Sequence, residues 1–314
     1  MLFMLPLLVV MKKIKDLPIE ELQRIMDEVK ALRSQGFSYG EIVKVVSNEH
    51  DLKLSKATVI RWCKGTHNPL NRIHIISLEP SPELAYVISV YLGDGSVHLK
   101  SNGKYVVKLK VIDREFAEAF AEALKKLGIG VTVGFERDST RADRYYVEGS
   151  NKALFQLLTG SRERLFSLAE DYPVQFIRGF FDSEGFPVIS AGKSFKVEVA
   201  EVNSDLEVLE FVQRCLEGLG ITSKISRLYS RGHRVIIRGE EYSSNVDMFI
   251  LRISRFNDVK SFAEKVGFTA SRKFEKLQRA IEMKGNYPSS EAVRLWLNEY
   301  EKIGRTYVKR GKPF

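Results

Sequence analysis

VISVYLGDG (Val87–Gly95) and IRGFFDSEG (Ile177–Gly185) are two nine-residue stretches that recur at an offset of 90 residues in this 314-residue chain. Both stretches end in an acidic residue followed by glycine. A fixed offset of this kind is typical of a duplicated structural unit. The two stretches therefore predict that the centre of the chain is built from two copies of one unit.

The similarity continues beyond the two stretches. At the same offset, the segment Tyr105 to Val111 matches Phe195 to Glu201, and Leu127-Gly128-Ile129 is matched by Leu219-Gly220-Ile221 two residues later than that offset. The first pair of segments alternates apolar with polar residues, as in strands with one buried and one wet face. We predict an α+β fold in which each copy has the order helix, two strands, helix, two strands, helix.

A proline opens and a glycine closes a predicted helix in each copy. These two motif helices run from Pro82 to Asp94 and from Pro173 to Glu184, with the usual punctuation for helix ends. Small residues four apart lie on one face of each helix, where a partner backbone can come close; they are Ser89 and Gly93 in the first, and Gly179 and Ser183 in the second. If the helices pack there, Asp94 and Glu184 lie side by side.

Asp94 and Glu184, the acid pair, would then stand at the negative ends of two helix dipoles and repel each other. A positive charge is needed between them, and carboxylate oxygens suit Mg²⁺ or Mn²⁺. Such a metal could activate water at a phosphodiester. Either acid alone is more often an ordinary polar residue at a helix end. The matched pair favours a catalytic, metal-binding role for both.

The two stretches resemble the motifs of LAGLIDADG homing endonucleases, and the resemblance covers about Pro82 to Phe268. It implies a pseudo-twofold monomer whose two sheets form a saddle over double-stranded DNA. It also implies that the eighth motif residue, Asp94 or Glu184, binds the metal and that both DNA strands are cut.

One departure from the family's pattern concerns the end of the second strand of each copy. Many members carry a lysine or glutamine there, whereas this chain has Ile112 and Val202. Lys110 lies on the same strand face as Ile112 and is a possible substitute. In the second copy that face carries Glu198 and Ala200. The sequence therefore supports the fold more strongly than it supports cleavage.

Composition favours an anionic partner. The net charge is +9, so nucleic acid is the first candidate, although a solvated basic surface has the same charge. The two cysteines, Cys63 and Cys215, make no metal pattern and indicate a reducing, cytoplasmic setting. Residues 1–10 are apolar but too short to span a membrane, and Met11 is an alternative start.

The region before the repeats contains a predicted helix-turn-helix. Its first helix opens near Phe37, and the second follows Leu54 with Ser55 as the N-cap. The outward residues of the second helix would reach the major groove or the phosphates; they are Lys56, Thr58 and Arg61. A plain three-helix bundle is the alternative.

Basic residues on the predicted strands are further candidates for DNA contacts. They alternate with apolar residues and so share the wet face of the sheets; they are Lys108, Lys110, Lys196 and Arg238. Singly, each is more often a solvated surface residue.

The predicted organisation has six parts: a start extension (1–10), the helix-turn-helix domain (11–72), a linker (73–81), the two repeats (82–170 and 171–268) and a C-terminal extension (269–314). The extension is predicted to be helical, over Ser271 to Lys284 and Ser289 to Ile303.

Three functions compete. The first is a site-specific double-strand DNA endonuclease that acts as a monomer. The second is a non-cleaving DNA-binding regulator on the same scaffold, which Ile112 and Val202 favour. The third is an RNA-binding maturase of introns, for which the sequence offers no positive feature. Retention of both acids favours the endonuclease.

Overall fold

A computed structural model describes residues 11–14, 17–67, 69, 76–138, 142–237, 240–304 and 306–311. The chain forms two compact units, residues 1–75 and 76–314. The proposed start extension and Arg238 lie outside the described residues. Among those that are described, no helix has the length and apolar character needed to cross a bilayer.

The N-terminal unit packs three helices around a core that includes Val59 and Trp62. Ser38 and Glu41 form a capping box at the start of its second helix, and Ser55 Oγ accepts from the Thr58 amide at the third. Its elements are β1 (Lys12–Lys13), α1 (Ile19–Ser34), α2 (Tyr39–Glu49), β2 (Leu52–Lys53) and α3 (Lys56–Cys63), with β1 and β2 parallel. The predicted helix pair corresponds to α2 and α3.

The first repeat has the predicted order of elements. They are α4 (Pro82–Leu92), β3 (Ser96–Leu99), β4 (Tyr105–Val111), α5 (Arg114–Lys126), β5 (Val131–Glu136), β6 (Arg144–Ser150) and α6 (Lys152–Leu158). The strands form an antiparallel sheet in the order β3-β4-β6-β5. Helix α7 (Arg162–Ala169) leads to the second repeat.

The second repeat builds a sheet of the same relative order, β7-β8-β12-β9. Its elements are α8 (Pro173–Ser183), β7 (Gly185–Ala191), β8 (Phe195–Asn203), α9 (Leu206–Gly218), β9 (Lys224–Tyr229), the hairpin β10 (Arg234–Ile237) and β11 (Glu240–Ser243), β12 (Met248–Ile253) and α10 (Phe256–Lys265). The hairpin is an insertion that the repeat pattern did not predict. The duplicated α+β architecture is otherwise as predicted.

The motif helices α4 and α8 pack against each other within the core of the second unit. A Cβ atom on Gly93 would lie 2.5 Å from Ser183 Cβ, and one on Gly179 would lie 3.0 Å from the carbonyl oxygen of Tyr86. The two backbones are therefore too close for any larger side chain at these positions.

The C-terminal extension is only partly helical. Helix α11 (Ser271–Asn286) is followed by α12 (Ser289–Glu299), and then by a hairpin of β13 (Tyr300–Ile303) and β14 (Thr306–Lys309). The prediction of a helix as far as Ile303 was wrong in its last turn. Trp296 stacks on Tyr300 at 3.9 Å, which places the hairpin's first residue on the buried face of α12.

Candidate active site

The acid pair lies where the two motif helices end. Asp94 follows α4 by two residues and Glu184 is the C-cap of α8. Partial burial raises the pKa of Glu184, and the charge of Asp94 raises it further. Burial likewise raises the pKa of Asp94. Two carboxylates that repel each other at one place provide a strong binding position for a cation.

The glycines after the acids are required because the chain passes too close to the backbone of the preceding helix for a side chain. A Cβ atom on Gly95 would lie 2.9 Å from the carbonyl oxygen of Val90, and one on Gly185 would lie 2.7 Å from that of Phe181. Neither glycine has a positive φ. Each lets the chain turn back over its helix end and start the first strand of the repeat.

A buried hydrogen-bonded group supports the end of α8. Asp182 is 1% exposed and accepts from Tyr86 Oη at 2.9 Å and from the Thr269 amide at 2.6 Å. Burial raises the pKa of Asp182, and these hydrogen bonds oppose that rise. Asp182 therefore ties α4, α8 and the segment before α11 together directly beneath the acid pair.

Lys273 is a buried cation that sequence reasoning missed. It comes from α11, is 8% exposed, and its Nζ donates to the carbonyl oxygen of Asp182 at 2.6 Å and, at longer range, to those of Phe181 and Ser183. Burial lowers its pKa, whereas Asp182 and Asp94 raise it. Its ammonium thus caps the negative end of α8, next to Glu184.

Glu201 is a third carboxyl group at this end of the repeat. It lies on β8 opposite Gly185, is 0% exposed, and neither of its oxygens has a hydrogen-bond partner among the described residues. Burial raises its pKa well above the ordinary value, and the charge of Glu184 adds to the effect. The matching residue of the first repeat is Val111. The two halves of the centre are therefore chemically unequal.

A cavity of about 290 Å³ opens beside Asp94. We call it the Asp94 cavity; its charged lining residues are Asp94, Lys110, Asp113, Arg144, Asp182, Arg272 and Lys273. Four cations and three carboxylates line this cavity, so both a phosphate and a metal ion would meet groups of opposite charge there.

Ile112, where the family's pattern has a hydrogen-bonding residue, also lines the Asp94 cavity and is 51% exposed. Lys110, the suggested substitute, forms an ion pair with Glu136 at 2.6 Å. Val202 is half-buried on β8, and Ala200 beside it is fully buried. The other cations of the Asp94 cavity come from β6, which carries Arg144, and from α11, which carries Arg272 and Lys273.

The basic residues predicted to contact DNA on the sheets lie on the outer face, largely in ion pairs. Lys108 donates to Glu148 at 2.6 Å, and Lys100 donates to the same carboxylate at 2.7 Å. These two bonds lower the pKa of Glu148 to about 2. Lys196 is exposed. Paired surface lysines keep donors that can turn to a phosphate at small cost.

The three predicted contact residues of α3 occupy different positions. Lys56 and Arg61 are exposed, although Arg61 Nε donates back to the carbonyl oxygen of Ala57 at 3.2 Å. Thr58 is half-buried, and its hydroxyl bonds to that of Ser55 at 2.9 Å. Lys56 is the side chain most available to a partner.

Among the described residues, a group of three possible metal ligands within 4.8 Å of one another occurs at Glu28, Glu49 and His50, in the N-terminal unit. His50 Nε2 is 2.8 Å from Glu28 Oε2, and this ion pair accounts for the grouping. The acid pair is not part of such a trio. A metal held by Asp94 and Glu184 would take its other ligands from water and phosphate.

Two copies of one α+β unit, with paired acids at the ends of their contacting helices, define the class of this protein. The model of the LAGLIDADG-like domain matches residues 81–170 and 171–267, which is more than half of the chain. The chain belongs to this family. The resemblance inferred from the two nine-residue stretches is confirmed.

The chain is also similar to one uncharacterized relative and, more distantly, to two solved structures. An uncharacterized protein of Methanocaldococcus jannaschii is 41% identical over 273 residues, which cover 87% of this chain and 98% of the relative. The crystal structure of I-DmoI in complex with DNA and Mn is 20% identical with a TM-score of 0.40, and covers 59% of this chain and 96% of that one. The N-terminal LAGLIDADG domain of DUF199/WhiA is 14% identical with a TM-score of 0.38, and covers 63% of this chain and 88% of that one. Family membership rests on the domain match.

Proposed function

We propose that the protein is a site-specific, divalent-metal-dependent endonuclease that cuts both strands of DNA. The observation that carries this proposal is the acid pair, two carboxylates from two repeats at contacting helix ends, where the charge of Asp94 adds to burial in raising the pKa of Glu184. A protein that only binds DNA gains nothing from this repulsion. A nuclease gains a place for a cation.

Asp94 and Glu184 would hold the metal, Mg²⁺ or Mn²⁺. Their oxygens are the donor type that these ions prefer, and the Asp94 cavity has room for a metal together with a phosphate. When bound, the metal would lower the pKa of a water molecule and stabilise the leaving oxygen. The cations around it would orient the phosphate.

Double-stranded DNA is the proposed partner, and a monomer the proposed functional form. The net charge of +9 supports the choice of partner. Lys108, Lys110 and Lys196 on the outer sheet face, with Lys56, Thr58 and Arg61 on α3, would supply phosphate contacts. Because each repeat contributes one acid, a single chain already carries a complete pair.

The proposal is tested by incubating the protein with fragmented genomic DNA of its source and Mg²⁺ or Mn²⁺, and sequencing all new ends. An Asp94→Asn/Glu184→Gln double variant is the control. We expect discrete double-strand ends with the wild-type protein and none with the variant. Specific binding that both proteins share, with no new ends from either, would overturn the endonuclease.

A non-cleaving DNA-binding regulator is the second candidate. It is favoured by Ile112, which presents an apolar side chain to the Asp94 cavity, and by Lys273, whose ammonium already offsets part of the negative charge. The same experiment separates the two candidates, since the regulator predicts binding without cleavage.

A further inference from the structure

We propose that helix α11, which lies outside both repeats, completes the catalytic centre. In this proposal Arg272 contacts the DNA phosphate that enters the Asp94 cavity. Lys273 is a positioning residue that holds the end of α8 and so the backbone of Glu184. The inference rests on the proposed endonuclease function and deepens it.

The start of α11 is bonded to both repeats. Arg272 forms a bidentate ion pair with Asp113 of the first repeat, with Nε–Oδ1 at 2.5 Å and Nη2–Oδ2 at 2.7 Å. Lys273 bonds to the last carbonyl groups of α8 in the second repeat, and the Thr269 amide donates to Asp182. Three positions of one short segment therefore tie the start of α5 in the first repeat to the end of α8 in the second.

Arg272 is placed to receive an anion. Its pair with Asp113 uses Nε and Nη2, which leaves Nη1 as a donor, and its side chain is 58% exposed at the Asp94 cavity. A guanidinium held rigid on one edge is well suited to a phosphate on the other. Arg272 thus supplies the donor that Ile112 cannot.

Lys273 acts through α8. Its ammonium satisfies carbonyl groups that the helix leaves open and stabilises the acids next to them. Without it, the last turn of α8 would lose its cap and Glu184 its fixed backbone. Arg279, further along the same helix, instead forms ion pairs with Glu282 and Glu299, and these link α11 to the rest of the C-terminal extension.

Arg272 lines two cavities, of which one contains Asp94, and Glu184 is not among the described residues that line either of them. We therefore expect Arg272 to reach the scissile phosphate nearest Asp94, on one strand only. A residue that merely stabilised the fold would slow cleavage of both strands equally. Strand-resolved cleavage distinguishes these roles.

The experiment uses the full chain and a duplex labelled on each strand in turn. The target comes from the end sequencing above or, if no ends appear, from selection of bound duplexes. The variants are Arg272→Ala, Arg272→Lys and Lys273→Met. Lys276→Met is the matched control, because Lys276 is a half-buried lysine of the same helix that donates instead to Thr306 Oγ1 and the carbonyl oxygen of Tyr307.

We expect Arg272→Ala to slow the cleavage of one strand about 100-fold more than that of the other, as for loss of one fixed charge-stabilising donor. Arg272→Lys should restore part of this loss. Lys273→Met should slow both strands about 10-fold or more relative to Lys276→Met, at equal thermal stability of the two variants. In ethylation interference, one particular phosphate should weaken binding by the wild-type protein when it is ethylated, and should have no effect on binding by Arg272→Ala.

Equal effects of Arg272→Ala on both strands, or cleavage by Lys273→Met at the rate of Lys276→Met, would overturn the inference and leave the endonuclease standing. A wild-type protein that binds its duplex without cutting overturns the proposed function instead. In that case the ethylation pattern decides the role of Arg272. A phosphate whose ethylation weakens binding by the wild-type protein but not by Arg272→Ala supports the contact. Identical patterns for the two proteins contradict it.

Discussion

The two repeats share an architecture but differ at the ends of their motif helices. In the first repeat, Asp94 is exposed beside a cavity with four cations. In the second, Glu184 faces the buried carboxyl group of Glu201, and a lysine caps the helix. The duplicated pattern predicts where the acids lie, whereas residues that differ between the two copies, or that lie outside both, decide what surrounds each acid.

Loss of either acid should have the largest effect. If the repeats share one metal centre, Asp94→Asn and Glu184→Gln should each slow cleavage of both strands about 1000-fold, because several kcal/mol of metal-borne stabilisation are lost. Gel electrophoresis of strand-labelled duplex measures this, with DNA affinity as the control for folding. Loss confined to one strand in each variant would show two independent half-sites.

The close contact of the motif helices should be sensitive to one methyl group. Gly179→Ala places a Cβ atom against Tyr86 and should lower the free energy of unfolding by about 1 to 3 kcal/mol. Gly218→Ala is the control. Gly218 lies in α9, and among the described residues a Cβ atom there would meet no atom within 4 Å beyond its own helix and chain neighbours, so the substitution should raise the free energy of unfolding by up to about 1 kcal/mol. Urea unfolding measures both. Equal effects would contradict the close contact.

Glu201→Val gives the second repeat the residue that Val111 provides in the first. Because it removes a buried carboxyl group that has no hydrogen-bond partner in the part of the chain that the structure describes, we expect it to raise the free energy of unfolding by about 1 to 2 kcal/mol. Glu198→Gln, on the opposite face of the same strand, should change it by less than about 1 kcal/mol. A destabilised Glu201→Val variant would show that Glu201 supports the fold.

The difference in the free energy of unfolding between Glu201→Val and the wild-type protein should depend on pH. The pKa of Glu201 is higher in the folded protein than in the unfolded chain. As pH rises from about 4.5, the Glu201 carboxyl group therefore ionises in the unfolded chain before it ionises in the folded protein. The wild-type protein loses stability over this interval, up to the pKa of the folded state, and the variant does not. The difference should thus be larger at pH 8 than at pH 5, as measured by urea unfolding. A constant difference would contradict the raised pKa.

The outer face of the sheets should show the smallest effect. Lys108→Gln removes one phosphate contact and should weaken DNA binding a few-fold, with the slope of log affinity against log salt reduced by about 1. Stability should change by less than about 1 kcal/mol, because the ion pair with Glu148 is partly exposed. Fluorescence anisotropy at several salt concentrations measures the slope. An unchanged slope would remove Lys108 from the interface.

The sequence predicted the repeats and the fold class because the offset of 90 residues, the strand alternation and the helix punctuation agree with one another. It did not reveal Lys273, which is far in sequence from either acid. A signal was present, since Lys273, Leu277 and Ala280 fall on one buried stripe of α11. A lysine on an apolar stripe needs a partner.

Glu201 carried a similar signal, being the one acidic residue at an inward position of β8. The hairpins β10–β11 and β13–β14 could not be predicted in this way. The first has no counterpart among the described residues of the other repeat. The second packs against Trp296, and its local signal is a single turn glycine, Gly304, whose φ is +60°.

The central claim is that Asp94 and Glu184 form one shared centre, and metal binding tests it most directly. Free Mn²⁺ is followed by electron paramagnetic resonance as the ion is added to the wild-type protein with its target duplex, and to Asp94→Asn, Glu184→Gln and Lys108→Gln. We predict that the wild-type protein and Lys108→Gln bind Mn²⁺ tightly and that each single acid variant loses this binding. Tight binding retained in either acid variant, or absent from the wild-type protein, would contradict a shared centre.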